Sequence, residues 1–213
     1  MPTAIRLATG DDAAEVQAIY APYCIDTPIS FELEPPPVAE MGQRILTTLE
    51  QMPWLVWDED GDVLGYVYAR PFRDRPAYQW STEATVYIRV DQHRRGLGRK
   101  LYTALFRLLI LQGYVNVYAG ITLPNPGSVG LHESFGFALV GVYKGVGYKH
   151  GAWHDVGFWQ RPLQPQASNP PPPRNWRELV ETSEWQRALD TVPSHAQEQP
   201  FAIKEKQKEP FDQ

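Results

Sequence analysis

The chain has 213 residues, 43% of them apolar, with 20 Lys and Arg against 25 Asp and Glu and a formal net charge of −5. That length fits one domain, or one domain with an appendage, and the mild acidity argues against a dedicated nucleic-acid binder. A lone cysteine, Cys24, excludes an internal disulfide framework and a cysteine-based zinc site, and no run approaches the ~18 apolar residues of a membrane span.

The opening Met1-Pro2-Thr3-Ala4-Ile5-Arg6-Leu7 goes straight into alternating residues without a signal-peptide core, so a soluble cytoplasmic protein is expected. Ala4 to Leu7 reads as a strand. Thr9 with Asp12 predicts a helix cap, and Ala14, Val16, Ile19, Tyr20 and Tyr23 keep helical spacing to about Asp26. A second helix follows Pro35, Pro36 and Pro37 and runs to about Gln51. Trp54–Asp58 and Val63–Arg70 are strands joined at the hairpin signal Asp60-Gly61. Thr82–Val90 is rich in β-formers. A basic, glycine-containing loop then enters a helix from about Gly98 to Gln112, with Leu101, Leu105, Leu108 and Leu109 on one side. Val115–Thr122 is a strand and Ser128–Phe135 a short helix ended by Gly136. Ala138–Tyr143 and Val156–Gln160 are strands around a loop containing Lys149, His150 and Gly151. This order predicts an α/β (α+β) fold, helices covering a mostly antiparallel sheet.

Nine of the 20 prolines lie from Pro162 onward, and no glycine follows Gly157. The chain therefore divides into a body at 1–161 and a tail at 162–213. The run Pro170–Pro173 predicts a semi-rigid polyproline spacer; the tail either docks on the body or a partner or is loose, and the spacer is expected to decouple it. Asn175 with Glu178 marks a short helix start, within about 175–190, and the charged end from Lys204 reads as disordered.

The chemistry centres on His93-Arg94-Arg95-Gly96-Leu97-Gly98. Its glycines turn the backbone tightly, a helix N-terminus follows, and Arg94, Arg95 and Arg99 add positive charge, all of which suits a pyrophosphate. Taken alone, the same loop is equally a tight turn with solvated arginines. No Gly-Lys-Ser/Thr follows, which excludes a Walker loop, and no repeated βαβ units support a Rossmann loop.

The sequence around the loop resembles the Gcn5-related N-acetyltransferase superfamily and, more narrowly, its phosphinothricin and methionine sulfoximine acetyltransferases. The matching segments are P-W-L-V at 53–56, D-G-D-V-L-G at 60–65, A-Y-Q-W at 77–80, E-A-T-V-Y at 83–87, R-x-G-L-G at 94–98, L-Y-T at 101–103, L-P-N at 123–125, S-V-x-x-H-E at 128–133 and K-H-G-A-W-H-D-V-G-F-W-Q at 149–160. The superfamily usually has Gln or Arg three residues before the first glycine; here that residue is His93. The resemblance covers about residues 3–161 and implies an acetyltransferase fold whose sheet splays at the cofactor-binding strands, with acetyl-CoA as cosubstrate and no metal.

It implies that Glu83 is the base that deprotonates the amine, and that His132 protonates the leaving thiolate, relays a proton or orients substrate, with Tyr87 and Tyr118 as rival donors. Backbone N–H groups of Val86, Tyr87 and Ile88 would meet the oxyanion. Arg94, Arg95, Gly96, Leu97, Gly98 and Arg99 would hold the pyrophosphate. Asn125 would bond the pantetheine arm, and Ser134 would assist. Arg73, Arg75, Tyr78 and Tyr87 stand at substrate-binding positions. The 148–154 loop would serve as pocket wall and interface of a homodimer. The implied reaction is N-acetylation of a small amino-acid analogue. A different amine, or a non-catalytic acyl-CoA-binding module, are the other readings.

Overall fold

In a computed structural model, which describes residues 4–190, the chain runs through β1 (Ala4–Leu7), α1 (Ala13–Ile25), α2 (Val38–Thr48), β2 (Trp54–Glu59), β3 (Asp62–Pro71), β4 (Ser81–Ile88), α3 (Leu97–Gln112), β5 (Asn116–Leu123), α4 (Pro126–Ser134), β6 (Ala138–Lys149), β7 (Ala152–Pro162) and α5 (Ser183–Leu189). The seven strands form one sheet in the order β1-β2-β3-β4-β5-β7-β6. Every pairing is antiparallel except β4–β5, which α3 makes parallel by crossing one face. The α/β class and the mostly antiparallel sheet agree with the sequence reading.

Alternation along the strands sends side chains to two cores. On one face Leu55, Val67, Ala84 and Val117 pack with Leu101, Leu105, Leu108 and Leu109 of α3. On the other, Trp54, Val56 and Tyr66 pack with Val16, Ile19 and Tyr20 of α1 and Met41 and Ile45 of α2. The leucine spacing read in α3 is therefore its buried stripe.

Two expectations change. Residues 144–155 are not a loop: β6 and β7 continue into a long hairpin closed by His150-Gly151, both at positive φ (50° and 75°). That is the turn whose twist matches antiparallel strands. Register shifts between Leu139/Gly141 and Tyr143/Gly147 break the two-residue alternation, which hides the strand from a periodicity argument.

The proline run does not decouple residues 174–190 from the body. Leu179, Trp185 and Ala188 are buried in the α3-face core, Trp185 at 1% exposure. The path there is held throughout: Trp80 Nε1 donates to Pro171 O (2.8 Å), Arg174 N to Gln112 O (2.8 Å) and Trp176 Nε1 to Leu49 O (2.9 Å). A polyproline segment is stiff and already extended, so it docks with little loss of freedom once its carbonyls find donors. The helix expected at about 175–190 is a single 3-10 turn at Trp176–Glu178, then α5, capped by Thr182 Oγ1 accepting from Trp185 N (3.2 Å). The charged end from Lys204 lies outside the described residues.

Candidate active site

Parallel pairing of β4 with β5 lasts for three residues, Ser81↔Asn116, Thr82↔Val117 and Glu83↔Tyr118. Beyond that point β4 keeps only β3, and β5 keeps only β7, so a gap opens in the middle of the sheet. Arg89 N–H donates back to Leu64 O of β3. By alternation the N–H groups of Val86 and Ile88 point the other way, into the gap.

Glu83 stands where the strands part. Its Oε1 accepts from Arg70 Nη2 at 3.0 Å, and its side chain is 12% exposed against 57% for Arg70. The two residues are direct cross-strand partners in the β3–β4 register. Gly120 of β5 lies beneath the carboxylate, where a Cβ would come 3.6 Å from Oε1. Burial works against the Arg70 charge, and Glu83 more than offsets it, so the Arg70 pKa stands above its ordinary value.

After β4 the chain makes a 3-10 turn at Val90–Gln92, and Arg94 (φ 65°) and Gly96 (φ 78°) take left-handed conformations before α3 begins. A branched side chain is strained at the Gly96 conformation. The first helical N–H groups, those of Leu97, Gly98 and Arg99, have no carbonyl acceptor among the described residues, as expected at a helix N-terminus. Arg94 is exposed and makes no side-chain bond among the described residues. Arg95 is held by both oxygens of Glu59 (3.0 and 3.1 Å) and by Gln92. Arg99 donates to Ser134 Oγ (2.8 Å). His93 turns away from the loop: its Nε2 meets Tyr23 Oη (2.8 Å), while Tyr23 donates to Ile88 O (2.6 Å). Asn125 caps α4, its Oδ1 accepting from Ser128 N (3.1 Å), which leaves Nδ2 available.

His132 is buried on α4. Nδ1 lies 2.7 Å from Ser128 O, an obligate acceptor, so Nδ1 carries the proton. Burial lowers the imidazole pKa and keeps the ring neutral, so Nε2 accepts from Tyr102 Oη (2.9 Å). Tyr102 and Phe137 meet the ring edge-on. Both nitrogens are thus occupied, and Nε2 has no proton to give.

Tyr87 packs its ring among Tyr20, Tyr23 and Tyr66 at 4.9–5.5 Å, and burial raises its pKa well above the ordinary phenol value. Tyr118 stacks on Phe72 (4.2 Å), and Tyr78 meets Phe72 edge-on (5.9 Å). Two cavities flank this region. One of about 510 Å³, on the α1/α2 face, is lined by Tyr20, Glu32, Arg44, Tyr66, Tyr68 and Arg70 among others. The other, about 440 Å³, lies against the docked tail and includes Arg73, Arg75, Tyr114 and Arg174 in its wall. Arg73 donates to Phe72 O (2.7 Å), and neither loop arginine is ion-paired to Glu83. The fork therefore unites Glu83, Val86 and Ile88, and α3 with α4 unites Arg99, Ser134 and His132. Arg73 and Arg75 stand apart from both.

Three participants escaped the sequence reading. Arg70 had no signal beyond the register that sets it opposite Glu83. Tyr102 had only its helical position. Lys149 is 4% exposed, and its Nζ donates to Cys24 O (2.6 Å), Ser30 O (2.6 Å) and Glu32 O (2.8 Å). It pins the connection between α1 and α2 to the β6–β7 hairpin. Phe31 of that connection lies so close over Gly147 that a Cβ there would sit 2.1 Å from its ring.

The family described as acetyltransferase (GNAT) domain matches residues 5–157. A phosphinothricin N-acetyltransferase of Streptomyces viridochromogenes is 41% identical over 180 residues, 84% of this chain and 96% of that protein. An L-methionine sulfoximine/L-methionine sulfone acetyltransferase of Pseudomonas aeruginosa is 34% identical over 172 residues, 80% of this chain and 100% of that protein. Among solved structures, a GNAT-superfamily phosphinothricin acetyltransferase from Sinorhizobium meliloti in complex with acetyl-CoA aligns with a TM-score of 0.75 at 33% identity, covering 83% of this chain and 100% of that one.

Proposed function

Because the chain belongs to the GNAT acetyltransferase family, we propose that it transfers the acetyl group of acetyl-CoA to the α-amino group of a small amino-acid analogue in the cytoplasm, with phosphinothricin, methionine sulfoximine and methionine sulfone as candidates. The relatives' names support the substrate class. The observation that carries the reading is Glu83, a largely buried carboxylate at the fork of β4 and β5.

Acetyl-CoA supplies an acyl group activated as a thioester. The N–H groups of Leu97, Gly98 and Arg99 and the Arg94 guanidinium, none of them with a partner among the described residues, are suited to hold its pyrophosphate, and Gly96 and the Glu59-anchored Arg95 shape that loop. Asn125 Nδ2 is suited to the pantetheine arm, and Ser134 keeps Arg99 in place. Val86 and Ile88 N–H groups face the gap, on either side of Tyr87, where a carbonyl oxygen gaining negative charge would be stabilised. Glu83 takes a proton from the substrate ammonium, directly or through water, and frees the nitrogen lone pair. His132 acts as a positioning residue, joining α4 to α3 through Tyr102. Arg73, Arg75 and Tyr78 are assigned to the polar far end of the substrate, which requires the arginines to swing out of the cleft beside the tail.

A homodimer belongs to the same reading. The exposed Leu139, Val140, Tyr143, Val146, Tyr148 and Trp153 give the β6–β7 hairpin an apolar surface suited to a second copy. Light scattering at the 24.3 kDa protomer mass would refute it.

The test of the reaction is Glu83→Gln, assayed by thiol release from acetyl-CoA with and without the candidate amines. Turnover is expected to drop ~10²–10⁴-fold with acetyl-CoA affinity kept. The deficit narrows at high pH, where free amine is abundant. Wild-type rates at neutral pH would remove Glu83 as the base.

A further inference from the structure

We propose that Arg70 and Glu83 together read the zwitterionic end of the substrate, Arg70 binding its α-carboxylate beside the ammonium that Glu83 deprotonates. This rests on the α-amino-acid reading above and adds the group that selects for it.

The guanidinium and the carboxylate are adjacent by construction, because Arg70 and Glu83 are cross-strand partners on one face of the sheet. Arg70 uses one of its five N–H donors on Glu83, a single bond from Nη2 to Oε1 (3.0 Å), and its side chain is 57% exposed. An α-amino acid carries its ammonium and carboxylate on one carbon, so its charges lie side by side in the opposite sense to the Glu83–Arg70 pair. Docking it leaves that bond intact: the ammonium meets Glu83 Oε2 and the carboxylate takes the remaining Arg70 donors in forked geometry.

The surroundings single out Arg70. It lines the 510 Å³ cavity together with Arg44, the only other cation in that wall among the described residues. Arg44 is already engaged by Glu32 (2.6 Å) and by Glu40. The same wall carries Trp54, Tyr66 and Tyr68, stacked at 4.2–6.3 Å, an apolar, polarisable surface for the substrate side chain. The cavity therefore offers, beside the base, a cation with a single donor engaged, and an aromatic face beyond it.

The experiment compares methionine sulfone with the amine obtained by removing its carboxylate, 3-(methylsulfonyl)propylamine. kcat and KM are measured for the wild-type protein, Arg70→Gln and Arg70→Lys, and acetyl-CoA KM checks that each variant is intact. The readout is the ratio of kcat/KM for the amino acid to kcat/KM for the amine. We expect a wild-type ratio of ten or more. In Arg70→Gln it should fall at least tenfold, mainly through the KM of the amino acid, and in Arg70→Lys it should recover in part. A ratio unchanged in Arg70→Gln, whatever the absolute rates, overturns the proposal, since Arg70 then serves only to hold Glu83. A wild-type enzyme that acetylates both compounds equally well overturns carboxylate recognition while keeping the acetyltransferase reading. A wild-type enzyme that acetylates neither of them, nor phosphinothricin, overturns the substrate reading, and this proposal with it.

Discussion

Lys149→Met removes an ammonium and keeps most of its aliphatic stem. Three carbonyls, of Cys24, Ser30 and Glu32, lose their donor at once. Charge-assisted hydrogen bonds contribute roughly 1.5–3 kcal/mol each, so the gross loss is about 4–9 kcal/mol. Burying the ammonium costs several kcal/mol in the native protein, and that cost disappears with the charge. Water then reaches part of the loosened connection between α1 and α2, which leaves a net destabilisation of about 2–4 kcal/mol. At roughly 2–4 °C per kcal/mol for a domain of this size, Tm falls by about 4–16 °C. The functional consequence is selective. The pinned connection carries Glu32, whose carboxylate holds Arg44 in the wall of the 510 Å³ cavity. The gap between β4 and β5 is built by other elements. The KM for the amine should therefore rise several-fold while that for acetyl-CoA stays within twofold. Thermal unfolding followed by circular dichroism gives the first number and steady-state kinetics the second. A variant with wild-type Tm and wild-type amine KM would refute the clamp. Equal rises in both constants would mean general loosening.

Gly96→Val forces a branched residue to φ 78° and should raise the acetyl-CoA KM far more than His93→Gln, because His93 faces Tyr23; the reverse order in initial-rate kinetics would place recognition in the side chain. Deleting residues 165–213 uncovers the α3 face that Leu179, Trp185 and Ala188 bury, and losing a buried Trp alone costs about 3–5 kcal/mol. The shortened protein should melt well below the full chain or be insoluble, and an unchanged Tm would restore the idea of a decoupled tail. His132 has a folded-state pKa below its unfolded value, so above the unfolded pKa its burial costs nothing in protonation. As pH falls below about 6.5 the unfolded chain gains a proton that the folded one refuses, and stability declines until the folded pKa is passed. The Tm difference between wild type and His132→Gln should therefore shrink from pH 7.5 to 5.5; a constant difference would mean that the ring is not held neutral.

The features legible in the sequence were those written locally. Asp60-Gly61 marked its hairpin, the leucines of α3 marked a buried stripe, and the glycines after β4 marked the turn into a helix whose first N–H groups have no carbonyl acceptor among the described residues. Glu83, Val86 and Ile88 could be singled out from the resemblance because their placement at the fork follows from strand position. The illegible features depend on partners far along the chain. Lys149 bonds three carbonyls 117–125 residues away, and a carbonyl leaves no trace in residue identity. Arg70 gains its meaning from register. His132 looks free in sequence, yet Tyr102, 30 residues earlier, fills its Nε2. Pro170–Pro173 announces stiffness accurately but is silent about whether Trp80 and Gln112 will receive it.

The order of the last three strands also bears on how the protein is made. β1 to β4 form a meander whose neighbours leave the ribosome in succession. β5 is different. Apart from the three residues it shares with β4, its partner is β7, and β6 must emerge in between. From the synthesis of Leu123 until Pro162 appears, the nascent chain presents an unpaired, apolar strand in what will become the interior of the sheet. At roughly 5–20 residues per second that interval lasts a few seconds. A strand edge of this kind invites pairing with other chains. The interruption proposed above to admit the cosubstrate thus also sets a vulnerable window in biogenesis, and it closes when the C-terminal hairpin folds back and inserts its second strand against β5.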